Sequence, residues 1–450
     1  MSTSSVTGVS LRSRSASRGV TQPIGAGPSG LPRLLCALTG GATSPHLDAH
    51  RATYAAPPPP GREPLHELID VIEHSGLQGR GGGGFPLATK LRAVAAGKGP
   101  RVVVVNGSEG EPASNKDKTL LTFAPHLVID GAQWAAAAVG ATDIYICVDR
   151  RASGALTNIR KALEQRRGEG GATLHLVTVP ARYVAGEESA LVHLLNGGDA
   201  RPTRTPPRPF QSGVRRAPTL VSNVETLCHA AQVECFGPQW FRQFGLADEP
   251  GTALITLSGS VEVPAVYEVP IGVRLSSMLA QAGGTQRGLA GVLVGGYYGT
   301  WLDAAQAGSA CLSNRSLRPL GASLGCGAVV VLPAGACGLR ETARVLTWMA
   351  GETAGQCGPC VHGLAAIAGA VSELAAGRPD VDTLARLQRW AGQVEGRGAC
   401  RFPDGAVRLL RSAMSAFASD VAQHLQFGPC EGAQRPAVLH VPESSGVPWR

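Results

Sequence analysis

Short apolar runs separated by helical patterns dominate the middle of this chain. Residues 101–106 are Arg-Val-Val-Val-Val-Asn, a run typical of a strand buried on both faces. Comparable runs cover 143–149 and 174–179, with helical patterns over 118–140 and 154–166. Because neighbouring parallel strands need crossover connections, this order predicts an α/β domain built on a parallel sheet.

Changes in composition divide the chain into five predicted segments. Residues 1–60 end in a proline run and are expected to be a disordered extension, with a transit peptide as the alternative. The α/β domain is expected over 61–248. Strand-like runs split by glycines predict a small mixed β module over 249–335. Helical patterns over 336–426 predict a helical domain, and 427–450 is expected to be a tail.

The charge balance bears on the kind of partner. The formal net charge is +8, but the arginines are scattered and form no long basic run. Since nucleic-acid binding needs clustered positive charge, we expect no nucleic-acid partner. A mildly basic surface instead suits an acidic electron-transfer partner.

Apolar runs and cysteine usage bear on location. No stretch of 18 or more apolar residues occurs, so no direct membrane span is expected. Eleven cysteines among 450 residues are too few for a secreted disulfide scaffold and indicate a reducing compartment. We therefore expect a cytoplasmic protein, with a peripheral position on the inner face of a membrane complex left open. The mitochondrial matrix is the less favoured alternative.

A glycine-rich stretch, Gly-Arg-Gly-Gly-Gly-Gly, covers residues 79–84. It follows a helical pattern and is expected to precede a strand, which does not match the strand–loop–helix order of a dinucleotide fingerprint. Arg80 within it and Lys90 after it place positive charge beside bare backbone amides. This combination predicts a cradle for an anionic group such as a phosphate, and a flexible turn is the alternative.

Two acidic stretches lie at predicted ends of strands or helices. The loop 106–112, Asn-Gly-Ser-Glu-Gly-Glu-Pro, follows the first buried strand. Open α/β sheets bind ligands at such carboxyl ends, so its acceptors are candidates for holding sugar hydroxyls. Glu187 and Glu188 begin a predicted helix, where carboxylates also serve as caps. A solvated loop and simple helix caps are the alternatives.

Three cysteines suggest a metal centre. Cys357 and Cys360 form a CxxC pair, and Cys400 lies on the same helical segment. Such thiolates suit an iron–sulfur cluster or zinc, and His362 would complete a Cys₃His zinc set. The residues alone leave iron–sulfur, zinc and no metal open. The remaining cysteines lack ligand spacing and stand at positions 36, 147, 228, 235, 311, 326, 337 and 430.

Ordered motifs across residues 65–425 resemble the NADH-oxidising flavoprotein subunit of respiratory complex I. The related subunits of NAD-linked hydrogenases and formate dehydrogenases share them. Residues 251–300 resemble that family's β-grasp, SLBB-like module. The resemblance implies an FMN/NADH-binding α/β domain, then the β-grasp module, then a C-terminal helical iron–sulfur bundle. The motifs that carry it lie at 79–86, 106–117, 125–126, 183–191 and 218–227.

The resemblance also implies which residues surround the cofactors. FMN and NADH would share one cavity, with Phe85 and Glu111 beside the nucleotide. Glu111 and Glu188 are the implied catalytic residues, and Cys357, Cys360 and Cys400 the implied cluster ligands. The implied cofactor-binding residues are Gly79, Arg80, Gly81, Gly82, Gly84, Phe85, Lys90, Asn106, Ser108, Glu109, Gly110, Glu111, Tyr183, Gly186, Glu187, Glu188, Ser222 and Asn223.

The chain departs from the family pattern at several positions. Ala354 stands where the family has its first cluster cysteine, so three of four thiolates remain. This leaves a [4Fe-4S] cluster with one non-cysteine ligand such as water or His362, a [3Fe-4S] cluster, or no cluster. Ser108 replaces a usual aspartate. Arg208 replaces a usual aromatic residue, which leaves the choice between NADH and NADPH open.

The predicted function is that of an NAD(P)H-oxidising electron-input subunit. Hydride would pass from NADH to FMN, and single electrons would pass to an iron–sulfur cluster and an external acceptor. That acceptor would be a ferredoxin or a quinone-reducing complex, reached through other electron-transfer subunits. The alternative is a degenerate, non-redox paralogue that acts as a scaffold or binding module, because Ala354, Ser108 and Arg208 all depart from the pattern.

Overall fold

The computed structural model describes residues 7–10, 30–38, 45–55, 65–443 and 446–450. The strands in chain order are β1 Thr7–Ser10, β2 Arg101–Gly107, β3 Ala141–Asp149, β4 Thr173–Val179, β5 Thr219–Asn223, β6 Thr252–Gly259, β7 Ala265–Pro270, β8 Leu289–Val294, β9 Thr300–Asp303 and β10 Ala328–Pro333. The helices are α1 Leu47–Thr53, α2 Leu65–Ser75, α3 Leu87–Ala95, α4 Lys116–Phe123, α5 Pro125–Val139, α6 Ser153–Gln165, α7 Glu188–Leu195, α8 Val224–Phe241, α9 Leu275–Gln281, α10 Ala304–Ser309, α11 Asn314–Leu317, α12 Gly338–Gly351, α13 Ala365–Ala375, α14 Thr383–Val394, α15 Phe402–Ala416 and α16 Ala418–Gln426.

A four-stranded parallel sheet in the order β4-β3-β2-β5 forms the centre of the first domain. The valines of β2 are buried on both faces of this sheet, as its apolar run predicts. From β2 to β4 the chain moves in one direction across the sheet, and β5 then pairs with the opposite side of β2. The direction of winding therefore reverses between β2 and β5, which opens a crevice at their carboxyl ends.

One helix boundary and the order of elements around the glycine-rich stretch differ from the sequence predictions. The pattern over 118–140 predicts one helix, but Ala124 interrupts it and Pro125 begins α5. Proline lacks the N–H needed to continue a helix yet suits the first position of a new one. The glycine-rich stretch precedes helix α3 rather than a strand, so the predicted order around it was wrong.

A mixed six-stranded sheet follows, in the order β1-β7-β6-β10-β8-β9. Within it β6 and β10 are parallel, and the other neighbours are antiparallel. The strands predicted near β6, β7, β8 and β10 are present, whereas β9 was not predicted. Helix α9 packs its buried Leu275 and Met278 into the core of this sheet. The predicted mixed β module is therefore confirmed in type.

Helices α12 to α16 form the C-terminal helical region, and α12 packs against both α13 and α15. A π-helical turn, Pro359–Leu364, leads directly into α13 and carries Cys360. The single helix predicted over 404–425 is two helices that meet at Phe417. The α/β, mixed-sheet and helical order confirms the predicted fold class. Among the described residues, no helix combines the length and apolar character needed to cross a membrane.

Parts of the predicted disordered extension are packed on the domain core. Leu34 and Leu35 are fully buried, and the carboxylate of Glu268 accepts the Arg33 and Leu34 N–H groups, each at 2.8 Å. The Arg33 guanidinium lies 3.6 Å above the Trp240 ring. The prediction of disorder is wrong for residues 30–38 and 45–55, because apolar side chains of both stretches reach this core. Apart from β1, the rest of residues 1–60 lies outside the described residues.

The predicted tail also contacts the folded part of the chain. The carboxylate of Glu341 on α12 accepts the N–H groups of Val438 at 3.1 Å and Leu439 at 3.2 Å. Near the chain end, the guanidinium of Arg182 lies 4.5 Å from the Trp449 ring. Residues 430–443 therefore run across the helical region. The domain boundaries themselves stay predictions.

Candidate functional site

A cavity of about 760 Å³ opens at the carboxyl ends of β2 and β5, where the sheet winding reverses. Asn106 and Asn223, which pair across these two strands, both line it. Its volume falls within the range of roughly 300–1,000 Å³ that is usual for small-molecule sites. Every residue predicted to bind a cofactor lines this cavity except Arg80. We refer to it below as the site cavity.

The glycine-rich stretch forms one wall of the site cavity with bare backbone. The Gly79 N–H donates to the Phe85 carbonyl at 2.9 Å and closes the loop. Gly82 and Gly84 have positive φ angles of 110° and 59°, which side-chain-bearing residues rarely adopt. A Cβ on Gly81 would lie 3.2 Å from the Asn223 Cβ, so the loop approaches the end of β5 closely. Such exposed amides suit a phosphate group.

The side chain of Arg80 points away from the site cavity. Its guanidinium donates to the Thr252 carbonyl at 3.2 Å and the Pro250 carbonyl at 3.4 Å. Its backbone N–H donates to the Thr226 hydroxyl at 2.8 Å. Arg80 therefore ties the glycine loop to α8 and to the start of β6. The expectation that its charge would face a bound anion was wrong, because buried carbonyls satisfy the guanidinium instead.

Lys90 is the predicted cation that does face the site cavity. Its ammonium lies 3.4 Å from the Val221 carbonyl and 3.7 Å from a carboxylate oxygen of Glu188. The other carboxylate oxygen of Glu188 lies 3.7 Å from the Arg208 guanidinium. All three side chains are partly or largely exposed, so water screens these attractions. Lys90 and Glu188 therefore line the cavity, and Arg208, outside its lining, continues this row of alternating charge toward the surface.

Asn106, Ser108 and Gly186 form an interlocked corner of the cavity. The Asn106 amide donates to the Gly186 carbonyl at 2.8 Å, and the Ser108 hydroxyl donates to the Asn106 amide oxygen at 2.7 Å. A Cβ on Gly186 would lie only 2.2 Å from the Ser108 hydroxyl oxygen. This close approach explains why glycine is required there. Ser108, where the family usually has aspartate, contributes to this corner without a charge.

Two predicted cofactor contacts, Glu109 and Glu187, act as helix caps. The Glu109 carboxylate accepts the N–H groups of Asp117 at 3.1 Å and Lys118 at 2.9 Å, at the start of α4. The Glu187 carboxylate accepts the Ser189 N–H at 2.9 Å, at the start of α7. Burial raises the pKa of Glu187 above its ordinary value. These carboxylates are already committed, so ligand contacts at either residue would fall mainly to the backbone.

Glu111 is buried and accepts three hydrogen bonds. Its carboxylate accepts the Tyr183 hydroxyl at 2.7 Å, the Tyr297 N–H at 2.8 Å and the Ala113 N–H at 3.1 Å. Burial raises the pKa of Glu111 to about 7, although these donors oppose the shift. Because Tyr297 follows β8, Glu111 also joins the parallel-sheet domain to the mixed sheet.

A buried charge network that the sequence predictions did not identify lies behind the cavity wall. The Lys116 ammonium contacts the carboxylates of Asp117 at 2.7 Å and Glu225 at 2.9 Å and the Asn223 amide oxygen at 3.2 Å. Burial acts to lower the pKa of Lys116, but Asp117 and Glu225 outweigh it and hold that pKa above its ordinary value. Burial likewise opposes the charge of Glu225, but Lys116 and then His229 hold the pKa of Glu225 at about 2. This network fixes the orientation of Asn223.

The mixed sheet and the helical region also contribute to the cavity lining. A pair of glycines after the buried strand β8 is the one weak sequence signal for these contributions. Long-range packing brings the others in these two regions to the cavity, and sequence patterns give no indication of them. Lys116, Asp117 and Thr226 lie in motifs that carry the family resemblance but were not predicted to line the site. The lining residues outside the predicted set are Gly83, Leu87, Ser114, Lys116, Asp117, Val184, Val221, Thr226, Gly295, Tyr298, Ser323, Gly325, Cys326, Arg401, Phe402, Asp404, Gly405 and Arg408.

The three predicted metal ligands converge beside the site cavity. Cys360 lies in the π-helical turn, Cys357 directly precedes that turn, and Cys400 precedes α15 and lines the cavity. Burial raises the pKa of the Cys360 thiol, and the nearby Cys357 and Cys400 raise it further. Buried Ala354 belongs to the same apolar cluster as these cysteines.

The spacing of these ligands argues against a single zinc ion. A tetrahedral zinc ion with bonds of about 2.3 Å holds two thiolates about 3.8 Å apart. No three of Cys357, Cys360, Cys400 and His362 bring their ligand atoms within 4.8 Å of one another in the described structure. His362 is also exposed at the surface. These residues therefore do not form a ready mononuclear site, and the zinc alternative at them is not supported.

Aromatic rings line the site cavity beside Cys400. The Tyr183 ring lies 4.9 Å from the Tyr298 ring and 5.5 Å from the Phe402 ring. Phe402 and Cys400 both line the cavity. A ligand in the cavity would therefore lie next to the segment that carries the third thiol.

Comparisons with known proteins agree with this arrangement. Residues 72–232 match the family described as the Nuo51 FMN-binding domain, and residues 340–424 match the NADH-ubiquinone oxidoreductase-F iron-sulfur binding region. The second F-type subunit of the NADH-quinone oxidoreductase of Rhizobium meliloti is 30% identical over 81% of this chain and 90% of its own length. The corresponding F-type subunit of Streptomyces coelicolor is 31% identical over 81% of this chain and 84% of its length.

A solved structure shows the same architecture. The NAD⁺-reducing [NiFe]-hydrogenase in its H₂-reduced state superposes with a TM-score of 0.76 at 31% identity, over 81% of this chain. The chain spans 63% of the length of that hydrogenase chain. These matches confirm the predicted FMN-binding domain, iron–sulfur region and enzyme class, an FMN-dependent NADH oxidoreductase. With its fold, cavity and thiols arranged in this way, the chain belongs to the family of F-type subunits of NADH-quinone oxidoreductase.

Proposed function

We propose that this protein oxidises NADH with FMN and delivers single electrons through an iron–sulfur centre to an external acceptor. One observation carries the proposal: the glycine loop and Cys400 line the same cavity. When bound, FMN would supply the step between a two-electron donor and one-electron carriers. The chain's own residues would bind, orient and separate the two redox groups.

The residues of the cavity fit a flavin phosphate and its sugar chain. The glycine loop offers amides without side chains, and Lys90 offers a positive charge on the same wall. Asn106, Ser222 and Asn223 offer polar groups at the ends of β2 and β5. We assign the phosphate to the glycine loop and Lys90, because charge-assisted hydrogen bonds are the strong ones.

Glu188 and Glu111 would have different roles in the cavity. Glu188 is partly exposed and lies between Lys90 and Arg208, so it would position those two cations toward the nucleotide. Glu111 is buried, and with a pKa of about 7 it would hold or release a proton near neutral pH. Arg208 offers a positive group to a nucleotide phosphate, so we include NADPH as a further substrate.

The cluster would have three cysteine ligands. Ala354 supplies no donor at the fourth position, and His362 is exposed. We therefore favour a [3Fe-4S] cluster or a [4Fe-4S] cluster with water at the fourth iron. In either case Cys357, Cys360 and Cys400 would hold the cluster, and Cys400 lines the cavity together with Phe402.

The acceptor would be another redox protein. The named relatives belong to a quinone oxidoreductase and a hydrogenase, so we propose that the chain joins further electron-transfer subunits. A ferredoxin or a quinone-reducing complex would then receive the electrons. The net charge of +8 favours an acidic partner, and the cytoplasm is the proposed compartment.

The proposal is tested on one anaerobic preparation of the full chain. FMN, iron and sulfide are quantified, and NADH oxidation is measured with an artificial one-electron acceptor. We expect about one FMN per chain, at least three irons, and turnover that depends on added FMN. A colourless protein that neither binds FMN on reconstitution nor oxidises NADH would instead establish the scaffold alternative.

Replacing Lys90 with alanine tests the assignment of the phosphate. Loss of a charged contact worth about 1.5–3 kcal/mol should weaken FMN binding roughly 10- to 100-fold. Quenching of flavin fluorescence during titration of the apoprotein measures this affinity. Lys98→Ala is the matched control, because Lys98 is exposed and outside the cavity. Equal FMN affinity in the two variants would contradict the assignment.

Replacing Ala354 with cysteine tests the cluster. The new thiolate should complete a four-cysteine set and bring the iron content to about four per chain. After mild oxidation, the wild type should show the EPR signal of a three-iron cluster, and Ala354→Cys should not. Ala354→Ser adds an oxygen instead of a thiol and serves as the control. An EPR spectrum unchanged by the cysteine would count against three-cysteine ligation.

The raised pKa of Glu111 predicts a pH dependence of stability. Its stabilising contribution is full below its ordinary pKa of 4.5 and is lost as the pH rises through about 7. Relative to Glu111→Gln, the wild type should lose roughly 2–3 kcal/mol in free energy of unfolding between pH 5 and pH 8. Denaturant unfolding at several pH values measures this difference. Exposed Glu164→Gln is the control, and identical pH profiles for wild type and Glu111→Gln would refute the prediction.

A further inference from the structure

Three side chains far apart in the sequence meet on the outer side of the helical region. Cys337 directly precedes α12, His424 lies in the last turn of α16, and Cys430 follows that helix. Their ligand atoms all lie within 4.8 Å of one another, and among the described residues no other set of three or more Cys, His or acidic side chains does so. Cys337 and His424 are buried, and Cys430 is partly buried. Sequence spacing gave no reason to connect them.

The spacing within this group matches that of a mononuclear metal site. The Cys337 sulfur lies 3.5 Å from the His424 Nε2 atom. A tetrahedral zinc ion with a Zn–S bond of about 2.3 Å and a Zn–N bond of about 2.0 Å separates these ligands by about 3.5 Å.

Neighbouring groups orient the two buried ligands. The His424 Nδ1 atom lies 3.2 Å from the Leu374 carbonyl, which can only accept, so Nδ1 carries the proton. The unprotonated Nε2 then accepts the Cys430 N–H at 3.1 Å and lies 3.5 Å from the Cys337 sulfur. Metal-binding histidines commonly donate their other ring N–H to a carbonyl in this way. The Arg340 N–H donates to the Cys337 sulfur at 3.3 Å, so a backbone hydrogen bond holds this sulfur at the start of α12.

We infer that Cys337, His424 and Cys430 bind a Zn²⁺ ion, with water in the fourth position. Two thiolates and a neutral imidazole are the ligand types that zinc prefers. The Asp420 carboxylate, which accepts the Gly338 N–H at 3.0 Å, adds negative charge beside Cys337. The Cys430 N–H lies 3.1 Å from Nε2 and would give way to the ion.

The zinc ion would fasten the C-terminal segment to the helical region. Beyond Cys430 the chain crosses α12, where Glu341 accepts two of its N–H groups. Farther along, the Tyr297 hydroxyl donates to the His440 carbonyl at 2.5 Å. The N–H of the same tyrosine donates to Glu111 in the site cavity. The ion would therefore fix one end of a segment that supports Tyr297 behind Glu111.

Zinc K-edge X-ray absorption of the wild-type chain tests the inference without any substitution. This measurement is element-specific, so iron and flavin do not interfere. We expect about one zinc per chain, with two sulfur ligands at about 2.3 Å and one nitrogen at about 2.0 Å. Zinc below about a tenth of the chain concentration after equilibration with zinc, a shell without sulfur, or a Cys337–Cys430 disulfide in reduced extracts would each overturn it.

Variants separate this site from the iron–sulfur centre. Cys430→Ser and His424→Gln should each lower zinc affinity at least about tenfold and leave the iron content unchanged, since the ligands of the cluster are not altered. Cys400→Ser should lose iron and retain zinc. Cys235→Ser, which changes a partly buried cysteine elsewhere, is the matched control for thiol loss. Zinc content that follows Cys400 rather than Cys430 would overturn the inference, whereas the proposed redox function would remain intact.

Discussion

The reversal of winding between β2 and β5 is the constraint on which the site depends. The chain crosses the sheet from β2 to β4 and returns to pair β5 with the free side of β2. The connections on the two sides diverge, and a crevice remains at the carboxyl ends of these strands. The glycine loop and the Asn106 loop then reach this crevice from elements packed on either side. The position of the cavity is therefore a property of sheet topology, and its chemistry is a property of the loops.

Ion pairs between buried charged side chains hold the elements around these loops in fixed positions. Glu225 on α8 contacts Lys116 at the start of α4 and accepts the Leu254 N–H of β6 at 2.8 Å. Removing one partner of such a buried pair typically costs about 3–5 kcal/mol, because it leaves an uncompensated charge. Arg80 adds a second link between the glycine loop and the mixed sheet. The same residues that shape the cavity thus connect the two sheets.

Local patterns predicted much of the fold but little of the side-chain geometry. The runs that form β2, β3 and β4 are apolar and long enough to be recognised, whereas β5 and β9 are short and partly polar. The break between α4 and α5 depends on one proline. Motifs placed nearly all predicted residues on the cavity, yet the direction of Arg80 follows from buried carbonyls distant in sequence. The capping role of Glu109 follows from the way the loop after β2 folds back onto the start of α4. The group of Cys337, His424 and Cys430 could not be recognised from the sequence either. Cys337 precedes the first helix of the helical region, whereas the other two lie at the end of its last helix, so only tertiary structure brings them together.

We propose that FMN occupies the crevice between β2 and β5, against the segment that carries Cys400. An anaerobic crystal structure of the full chain with FMN tests this most directly. We expect flavin density with its phosphate on the amides of the glycine loop beside Lys90, and with its ring system toward Phe402. Flavin density at another surface, or an empty crevice in a protein that binds FMN in solution, would contradict it.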